Sequence, residues 1–419
     1  MKTRESTLRE ILKPAVIVGA LGYFVDVYDL ILFAIVRGAS LRDLGFSGDQ
    51  ILAQGIHLLN LQMLGMLAGG IFFGILGDRL GRVAVLFGSI LLYSIANIAN
   101  GYVHSVEAYG VWRFIAGFGL AGELGGGITL VSEILSKEAR GYGTMLVAAT
   151  GVFGAVVAGL VADRVSWRTA YFIGGGLGLF LLVLRVSVAE SGMFQQIKKS
   201  GGKKIPRGNF FCLFSSRQRF LKYLRCILIG LPNWFAIGIL ITFSPEIAKA
   251  LQIQGEITGA HAIAFAYTGI TFGGFASGFL SQQLRSRKKV VFGFILFTFA
   301  AMVAYFLVGG QPSATFYFVI LFLGCGVGYW AVFVTIAAEQ FGTNIRATVA
   351  TTVPNFIRGS VVPLTLAFNF LKSQTIGGHT IGVVNSAAIV GTTCIVIALW
   401  ALRGLEETHG KNLDYTEPV

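Results

Sequence analysis

Long apolar runs separated by short polar loops fill the chain from residue 14 to residue 403. About 20 mostly apolar residues suffice for a helix that crosses the hydrocarbon core of a bilayer. The pattern predicts twelve such spans, at 14–38, 51–77, 83–102, 109–135, 141–163, 168–188, 222–248, 258–284, 289–309, 313–338, 347–372 and 380–403. We therefore predict an all-α membrane protein.

The longest polar stretch lies between the sixth and the seventh span, and it is basic and rich in Gly and Ser. Its composition is typical of a flexible linker. We predict an N-terminal six-helix half at 1–188, a cytoplasmic linker at 189–221, and a C-terminal six-helix half at 222–419 that ends in a short cytoplasmic tail.

The distribution of Lys and Arg orients these spans. Of the 33 Lys and Arg residues, 25 lie on the side that holds both termini and the linker, 6 lie on the opposite side, and 2 lie within spans. Because basic loops stay in the cytoplasm, we predict that both termini are cytoplasmic. The protein is expected in a bacterial inner membrane, with the lipid bilayer as its main partner.

Composition supports a membrane location and excludes some functions. The chain is 54% hydrophobic and only 13% charged, whereas soluble proteins average about a quarter charged. The net charge of +13 does not indicate nucleic-acid binding, because the bases lie between apolar runs rather than on a soluble face. The four cysteines lie in or beside apolar segments without metal-ligand spacing, and no signal-peptide cleavage site follows the polar N-terminus. We predict no cofactor and no metal, and a monomer.

Two polar loops recur in the two halves at nearly the same offset. "VSEILSKEARGYGT" places Glu133 seven residues before Arg140, and "AAEQFGTNIRATVA" places Glu339 seven residues before Arg346, at an offset of 206. "GILGDRLGR", from Gly74, has an echo in "GFLSQQLRSRKK", 204 residues later. Repetition after the second and the fourth helix of each half indicates duplication.

The "GILGDRLGR" stretch resembles the loop between helices two and three of the major facilitator superfamily, whose pattern is Gly-x-x-x-Asp-Arg-x-Gly-Arg-Arg. The matching residues are Gly74, Asp78, Arg79, Gly81 and Arg82, whereas Val83 replaces the last base. The resemblance implies two pseudo-symmetric six-helix halves, a substrate site between them, and transport by alternating access. It also implies that Asp78 helps to close the cytoplasmic side. A plain cytoplasmic turn with positive-inside bases is the alternative.

Further motifs agree with this family. "WRFIAGFGLAGE" resembles its Arg-x-x-x-Gly pattern in helix four, and "FVDVYDLILF" is similar to the helix-one stretch of the metabolite–proton symporters. "AESGMF" and "LEETHGKNLDYTE" resemble the sugar-porter motifs "PESPR" and "PETKG", imperfectly. The branch is a sugar-porter or metabolite-symporter neighbour. The chain also resembles the phagosomal nutrient transporters of intracellular bacteria.

Three acids lie well away from the ends of the predicted spans, where an ionisable group is costly and therefore points to function. Asp26 and Asp29 lie three residues apart on one helical face of the first span. The resemblance favours Asp29 as the proton carrier and implies Arg113 as its partner. Glu123, among glycines in helix four, is a further candidate for proton coupling or substrate binding. For each acid, a purely structural role is the alternative.

Arg358 is a buried base in the eleventh span, between Pro354 and Pro363, with Asn355 one turn before it. The two prolines predict a broken helix, which is common at membrane binding sites. An uncompensated Arg at this depth requires an anion, either a protein acid or a substrate carboxylate. The sequence leaves both open.

Other polar and aromatic side chains are weaker candidates, for which core packing or a structural hydrogen bond is an equal or better interpretation. Those for the substrate site are Asn233, Trp234, Tyr267, Tyr329, Trp330 and His57. Those for gating ion pairs with one another or with the loop bases are Glu133, Arg140, Glu339 and Arg346.

The leading functional hypothesis is a proton-coupled symporter that imports a small polar metabolite, with an amino acid or organic acid favoured. Uptake of a neutral sugar or nucleoside is the first alternative. Proton-driven export of a drug or siderophore is the second, although "GVFGAVVAGLVAD" in helix five lacks the Gly-Pro kink of family antiporters. We find no nucleophile–base set, phosphate loop or metal cluster, so an enzyme is not predicted. A sensor would normally carry a soluble output domain, for which the linker is too short.

Overall fold

The computed structural model describes residues 10, 12–80, 82–135, 137–188, 210–342, 345–376 and 379–410. Among these, eight helical stretches are long and apolar enough to cross a membrane: Val16–Asp43, Asp49–Leu76, Trp167–Val186, Arg217–Ile241, Gly259–Gln283, Arg287–Leu307, Ser313–Glu339 and Gly382–Arg403. Helices also occupy the other four predicted spans. The prediction of an all-α membrane protein with twelve spans is confirmed.

Six unbroken helices form the N-terminal half. They are α1 (Pro14–Asp43), α2 (Asp49–Leu80), α3 (Arg82–Asn100), α4 (Val106–Ile134), α5 (Lys137–Ala162) and α6 (Trp167–Val188). Proline stands at the start of α1, where its missing N–H removes no helical hydrogen bond.

The helices of the C-terminal half are interrupted in three of its six spans. The seventh span contains α7 (Arg217–Leu228), α8 (Leu231–Phe235), a π-helical segment (Ala236–Ile241) and α9 (Ser244–Ala250). The eighth and ninth are α10 (Gly259–Gln283) and α11 (Arg287–Leu307). The tenth contains α12 (Ser313–Gly326), a 3₁₀ turn (Val327–Tyr329) and α13 (Trp330–Glu339). The eleventh contains α14 (Arg346–Gly359) and α15 (Val361–Lys372), and the twelfth is α16 (Gly382–Arg403).

Prolines account for two of these interruptions. Pro232 lies in the first turn of α8, while Pro354 lies inside α14 and Pro363 lies in the first turn of α15. A proline inside a helix removes one hydrogen bond and frees a carbonyl, and such breaks are tolerated in a membrane where they line a protein-enclosed cavity. The predicted break around Arg358 is confirmed at Ser360, between α14 and α15.

Glycines allow the same pair of helices to cross closely in each half. In the N-terminal half, Gly65 and Gly69 of α2 lie directly against the backbone of α4. In the C-terminal half, Gly269 and Gly273 of α10 lie directly against the backbone of α12, 204 positions later. A Cβ at any of these positions would overlap the neighbouring backbone. The duplication seen in the loops therefore extends to the helix crossings.

The structure differs from the sequence prediction in two places. Helix α7 begins at Arg217, within the predicted linker. Its bases lower the local hydropathy, so the sequence pattern assigns its first turn to the linker. Tyr223, Cys226 and Ile227 are nevertheless buried. A small hairpin of β1 (Thr375–Ile376) and β2 (His379–Thr380) joins α15 to α16. Residues 189–209 of the predicted linker lie outside the described residues.

Candidate functional site

Arg358 occupies the boundary between the two halves, in the last turn of α14. Its side chain is 2% exposed, and its Cζ atom lies 5.7 Å from the ring centroid of Trp234. Its Nη1 donates to Oδ1 of Asn355 over a long 3.4 Å. Among the described residues, no group accepts a hydrogen bond from its Nε and no carboxylate forms an ion pair with it. The guanidinium therefore keeps the capacity to bind an anion.

The break in the seventh span supplies more unused polar atoms. Asn233 and Trp234 lie in α8, and both are almost fully buried. Neither the amide of Asn233 nor Nε1 of Trp234 has a hydrogen-bond partner among the residues described. Because buried polar groups are normally satisfied, these atoms are suited to a ligand.

Asp26 faces this cluster from α1 of the other half. It is fully buried, and Arg358 is the charge that acts on it most strongly, ahead of Glu123. Neither of its carboxylate oxygens has a hydrogen-bond partner within the described ranges. Tyr23, one turn earlier, lies near Arg358 and beside Trp330. The site thus combines an acid from one half with a base from the other.

Two of the predicted aromatic residues have different surroundings. Tyr267 of α10 is buried among Tyr23, Arg358 and Asp26, as expected for a residue that lines the site. The hydroxyl of Tyr329 instead donates to the carbonyl of Ile229 over 2.9 Å, inside the C-terminal half. Its geometry fits core packing.

Asp29 lies deeper in the N-terminal half than Asp26 does. It is fully buried, packs against Gly174 of α6, and faces Arg113 and Asn97. The Cζ atom of Arg113 lies 4.8 Å from the ring centroid of Phe33. No ion pair within 4.0 Å joins Asp29 to a described residue, so Arg113 acts on this acid as a nearby charge.

Glu123, predicted as a coupling residue, forms a buried ion pair with Arg185 of α6. Nη1 of Arg185 donates to Oε2 of Glu123 over 3.1 Å, and Nη2 contacts Oε1. The two side chains are 2% and 8% exposed. Gly22 of α1 lies directly against the pair. Any side chain at this position would overlap it. Arg185 therefore lies inside the bundle and not with the loop bases.

Buried hydrogen bonds join the two halves beside the site. Nδ2 of Asn355 donates to the carbonyl of Ala121 over 3.1 Å. Oγ1 of Thr365 donates to Oδ1 of Asn60 over 2.6 Å. These bonds hold the broken eleventh span against α2 and α4.

A partly buried ion pair also joins the halves at the end of the bundle predicted to face outward. Arg37 of α1 donates to both carboxylate oxygens of Glu246 in α9, over 2.7 and 2.8 Å. The guanidinium, 2% exposed, also donates to the carbonyl of Thr242 over 3.2 Å and lies over the ring of Phe243. This bidentate geometry is the strong form of an Arg–carboxylate contact.

The predicted gating residues lie at the opposite end, and most of their side chains are outside the described residues. Those not described are Asp78, Arg79, Gly81, Arg82, Glu133, Arg140 and Arg346. Gly74 faces Thr352 of α14 across the boundary between the halves. Glu339 pairs with Arg287, one of the loop bases, with Nη2–Oε1 at 2.7 Å. The gating roles remain predictions.

His57 lies on an exposed face of α2. Within the described ranges, no three His, Cys, Asp or Glu side chains gather in a way that could hold a metal ion.

The sequence analysis missed three charged residues of functional interest: Arg37, Glu246 and Arg185. Each lies near the end of an apolar run, where a charge count assigns it to a loop. The signal available was that all three fall within the bounds of predicted spans, two to six residues from a helical end, where an unpaired charge would be costly.

Comparisons with known proteins find relatives that span most of the chain. The chain is 26% identical to the niacin transporter NiaP of Acinetobacter baylyi, over 94% of each chain. It is 26% identical to the proline/betaine transporter of Escherichia coli K12, over 82% of this chain and 76% of the relative. The fold is similar to that of the proton:xylose symporter XylE of E. coli, with a TM-score of 0.71 over 98% of both chains at 16% identity.

The family model described as "Major Facilitator Superfamily" matches residues 19–364. This multi-pass membrane protein is a transporter of small molecules and not an enzyme, and it belongs to the Major Facilitator Superfamily.

Proposed function

We propose that this transporter is a proton-coupled symporter that imports a small metabolite bearing a carboxylate, through a bacterial inner membrane and with both termini cytoplasmic. Amino acids and organic acids are the favoured classes. Arg358 binds the substrate carboxylate, and the acids of α1 carry the proton.

The observation that carries this proposal is the state of Arg358. Its guanidinium is buried at a break in a membrane helix, between the two halves, with an unused Nε. An unpaired buried charge is strongly destabilising, so a substrate anion is a natural partner. Asp26 stands on the opposite half and has two unused oxygens. It can hold the ammonium end of an amino acid, or a proton when the substrate has no cation.

The relatives support the same class of substrate. The two relatives are a niacin transporter and a proline/betaine transporter, and all three compounds carry a carboxylate. Niacin also has a flat ring, which Trp234 and Tyr267 could stack against in this site. These shared features favour an organic or amino acid over a sugar, nucleoside, drug or siderophore.

The test compares carboxylates with their amides as ligands of the purified protein. Nicotinate with nicotinamide, and proline with prolinamide, are suitable pairs, and stabilisation against heat reports binding. A charged hydrogen bond contributes about 1.5–3 kcal/mol, so Arg358→Gln should weaken carboxylate binding by about tenfold to a hundredfold. The same variant should change the affinity for the amide little.

Arg225→Gln is a matched control. Arg225 also lies 5.7 Å from a tryptophan ring, that of Trp400, but it donates to the carbonyl of Gly404, directly after α16. It should leave all affinities unchanged. Equal losses for carboxylate and amide in Arg358→Gln would make Arg358 structural. Tight binding of an uncharged sugar or nucleoside would contradict the proposed substrate class.

A further inference from the structure

A row of hydrogen-bonded side chains runs inward through the N-terminal half from the end predicted to face outward. Ser40 lies one turn from the end of α1, and the hydroxyl of Tyr109 donates to its Oγ over 3.4 Å. The hydroxyls of Tyr109 and Tyr171 lie 2.7 Å apart. Nη1 of Arg113 donates to the Tyr171 hydroxyl over 3.4 Å. All four side chains are buried, so the row crosses a protein interior.

The donors in this row can all point outward, from Arg113 toward Ser40. Arg113 has only donors, so the Tyr171 oxygen accepts and its proton turns toward Tyr109. Tyr109 then donates to Ser40, whose hydroxyl donates to the carbonyl of Arg37 over 3.1 Å. A row in which each hydroxyl both accepts and donates is the arrangement that relays a proton.

Polar side chains of α3 continue the row inward. Tyr93, Asn97 and Asn100 share one face of this helix at spacings of four and three residues, beside Ser94. All four are fully buried. Their hydroxyl and amide atoms have no hydrogen-bond partner among the described residues.

This face of α3 lies near the buried acids Asp26, Asp29 and Glu123. Asn97 faces Asp29. The charge of Asp29 acts on the hydroxyl of Tyr171, at the inner end of the row that begins at Ser40. The hydroxyl of Tyr93 is within electrostatic range of Glu123, Asp29 and Asp26. The polar atoms therefore extend from Ser40 to the Glu123–Arg185 pair.

Two glycines of α6 lie directly beside these polar side chains. Gly174 lies against Asp29, and Gly178 lies against Ser94 and Tyr93. A side chain at either glycine would overlap these residues. Buried polar atoms without a protein partner are normally satisfied by ordered water. The unused amides and hydroxyls of α3 are suited to hold such water.

We propose that the interior of the N-terminal half is a proton pathway, separate from the substrate site, from Ser40 through Tyr109 and Tyr171 to Asp29, and onward past Tyr93 to Glu123. This inference rests on the proposed proton coupling and adds the route by which protons reach the acids.

Each step conserves protons. In the resting row each hydroxyl proton points outward, so the three hydroxyls turn before a transfer: Tyr171 then points its proton toward Asp29, Tyr109 donates to Tyr171, and Ser40 donates to Tyr109. Tyr171 releases its proton to Asp29, each hydroxyl oxygen takes a new proton from the group on its outer side, and Ser40 takes one from the outer end.

From Asp29 the proton passes through water held beside Tyr93 to Glu123, the innermost acid of the pathway. Arg113 stays charged, holds the Tyr171 hydroxyl in position, and does not relay. The charged groups facing the pathway are Asp26, Asp29, Arg113, Glu123, Arg185 and, across the boundary, Arg358.

The test uses Tyr→Phe variants, which remove one hydroxyl and keep the ring. The full chain is placed in vesicles that contain a pH-sensitive dye, and proton entry is followed when nicotinate or proline is added outside. Tyr109→Phe, Tyr171→Phe and Tyr93→Phe should each slow substrate-linked proton entry by about tenfold or more. Exchange of labelled for unlabelled substrate should remain near the native rate, which also shows that each variant is folded.

Tyr305→Phe is the matched control. Tyr305 is a fully buried tyrosine of the C-terminal half whose hydroxyl donates to the carbonyl of Leu240 over 2.8 Å, and it should leave proton entry unchanged. Native proton entry in all three pathway variants would overturn the pathway while leaving proton coupling intact. A loss in Tyr305→Phe as large as in the others would also overturn it. Absence of substrate-linked proton entry in the native protein would overturn the proposed function itself.

Discussion

The two halves of this transporter share a helix plan but treat polar groups differently. In the N-terminal half the helices are continuous, and Asp26, Asp29 and the polar face of α3 have unused atoms in the interior. In the C-terminal half the helices are broken. There, buried hydroxyls such as those of Tyr305 and Thr298 donate to nearby backbone carbonyls. Duplication therefore preserved the crossings and let the chemistry diverge. In the function proposed above, one half holds the protons and the other binds an anion at its breaks.

The largest expected effect tests whether the N-terminal half carries the proton. Asp29→Asn should abolish pH-driven accumulation, a loss of about a hundredfold or more, because the amide cannot take up and release a proton. Exchange between two substrate pools should continue, since Arg358 is unchanged. Uptake into vesicles with and without a pH gradient measures both. Full pH-driven accumulation in Asp29→Asn and also in Asp26→Asn would exclude α1 as the proton carrier.

The second effect tests the buried pair inside the N-terminal half. Glu123→Gln leaves Arg185 buried without a counter-charge and should destabilise the protein by about 3–5 kcal/mol. The double variant Glu123→Gln/Arg185→Gln should recover part of that loss, as thermal unfolding in detergent can show. Additive losses would mean that the two side chains act independently.

The third effect concerns the pair that joins the halves. Glu246→Gln should favour opening at that end by about 1.5–3 kcal/mol, because the neutral amide forms a weaker bond with Arg37. Spin labels on the exposed residues Ser47 and Glu256 can report the separation of the halves. Asp43→Asn is the control, since Asp43 pairs with Arg168 at the same end but within one half. An equal change in both variants would show that the Arg37–Glu246 pair does not hold the halves together.

The smallest effect lies at the other end of the C-terminal half. Partial burial alone would raise the pKa of Glu407, but hydrogen bonds from Ser286 and from the N–H groups of His409, Arg287 and Lys288 outweigh it and lower the pKa to about 2. A lowered pKa stabilises the folded state fully above about pH 4.5, and this stabilisation is lost as the pH falls toward 2.

Since Glu407 is exposed, solvent screening limits the contribution to about 1 kcal/mol or less. The unfolding temperatures of the native protein and Glu407→Gln should therefore differ at pH 7 and converge below pH 4.5. A constant difference across this range would contradict the assignment.

Much of the fold follows from the sequence because apolar run length, glycine spacing and loop charge are local properties. The same logic singled out Asp26, Asp29, Arg113 and Arg358, since each lies inside an apolar run.

The sequence did not determine which charged residues pair with one another. Arg185 pairs with a residue 62 positions away, and Arg37 with one 209 positions away. Only the packing of whole helices brings such groups together. The polar face of α3 was readable as a spacing, but its significance depends on the glycines of α6 that open the space beside it.

The π-helical segment Ala236–Ile241 has a consequence for how this protein tolerates changes in length. A π turn accommodates an extra residue within a helix, and each residue of an α-helix turns the chain by roughly 100°. Deleting one residue from this segment would let it relax to an ordinary helix, and the residues beyond it would stay on the same face. A deletion between the segment and Glu246 would instead rotate Glu246 away from Arg37, while Asn233 and Trp234, before the segment, would keep their places. The segment is therefore the one described part of the seventh span in which losing a residue would preserve both the outer contact between the halves and the binding site.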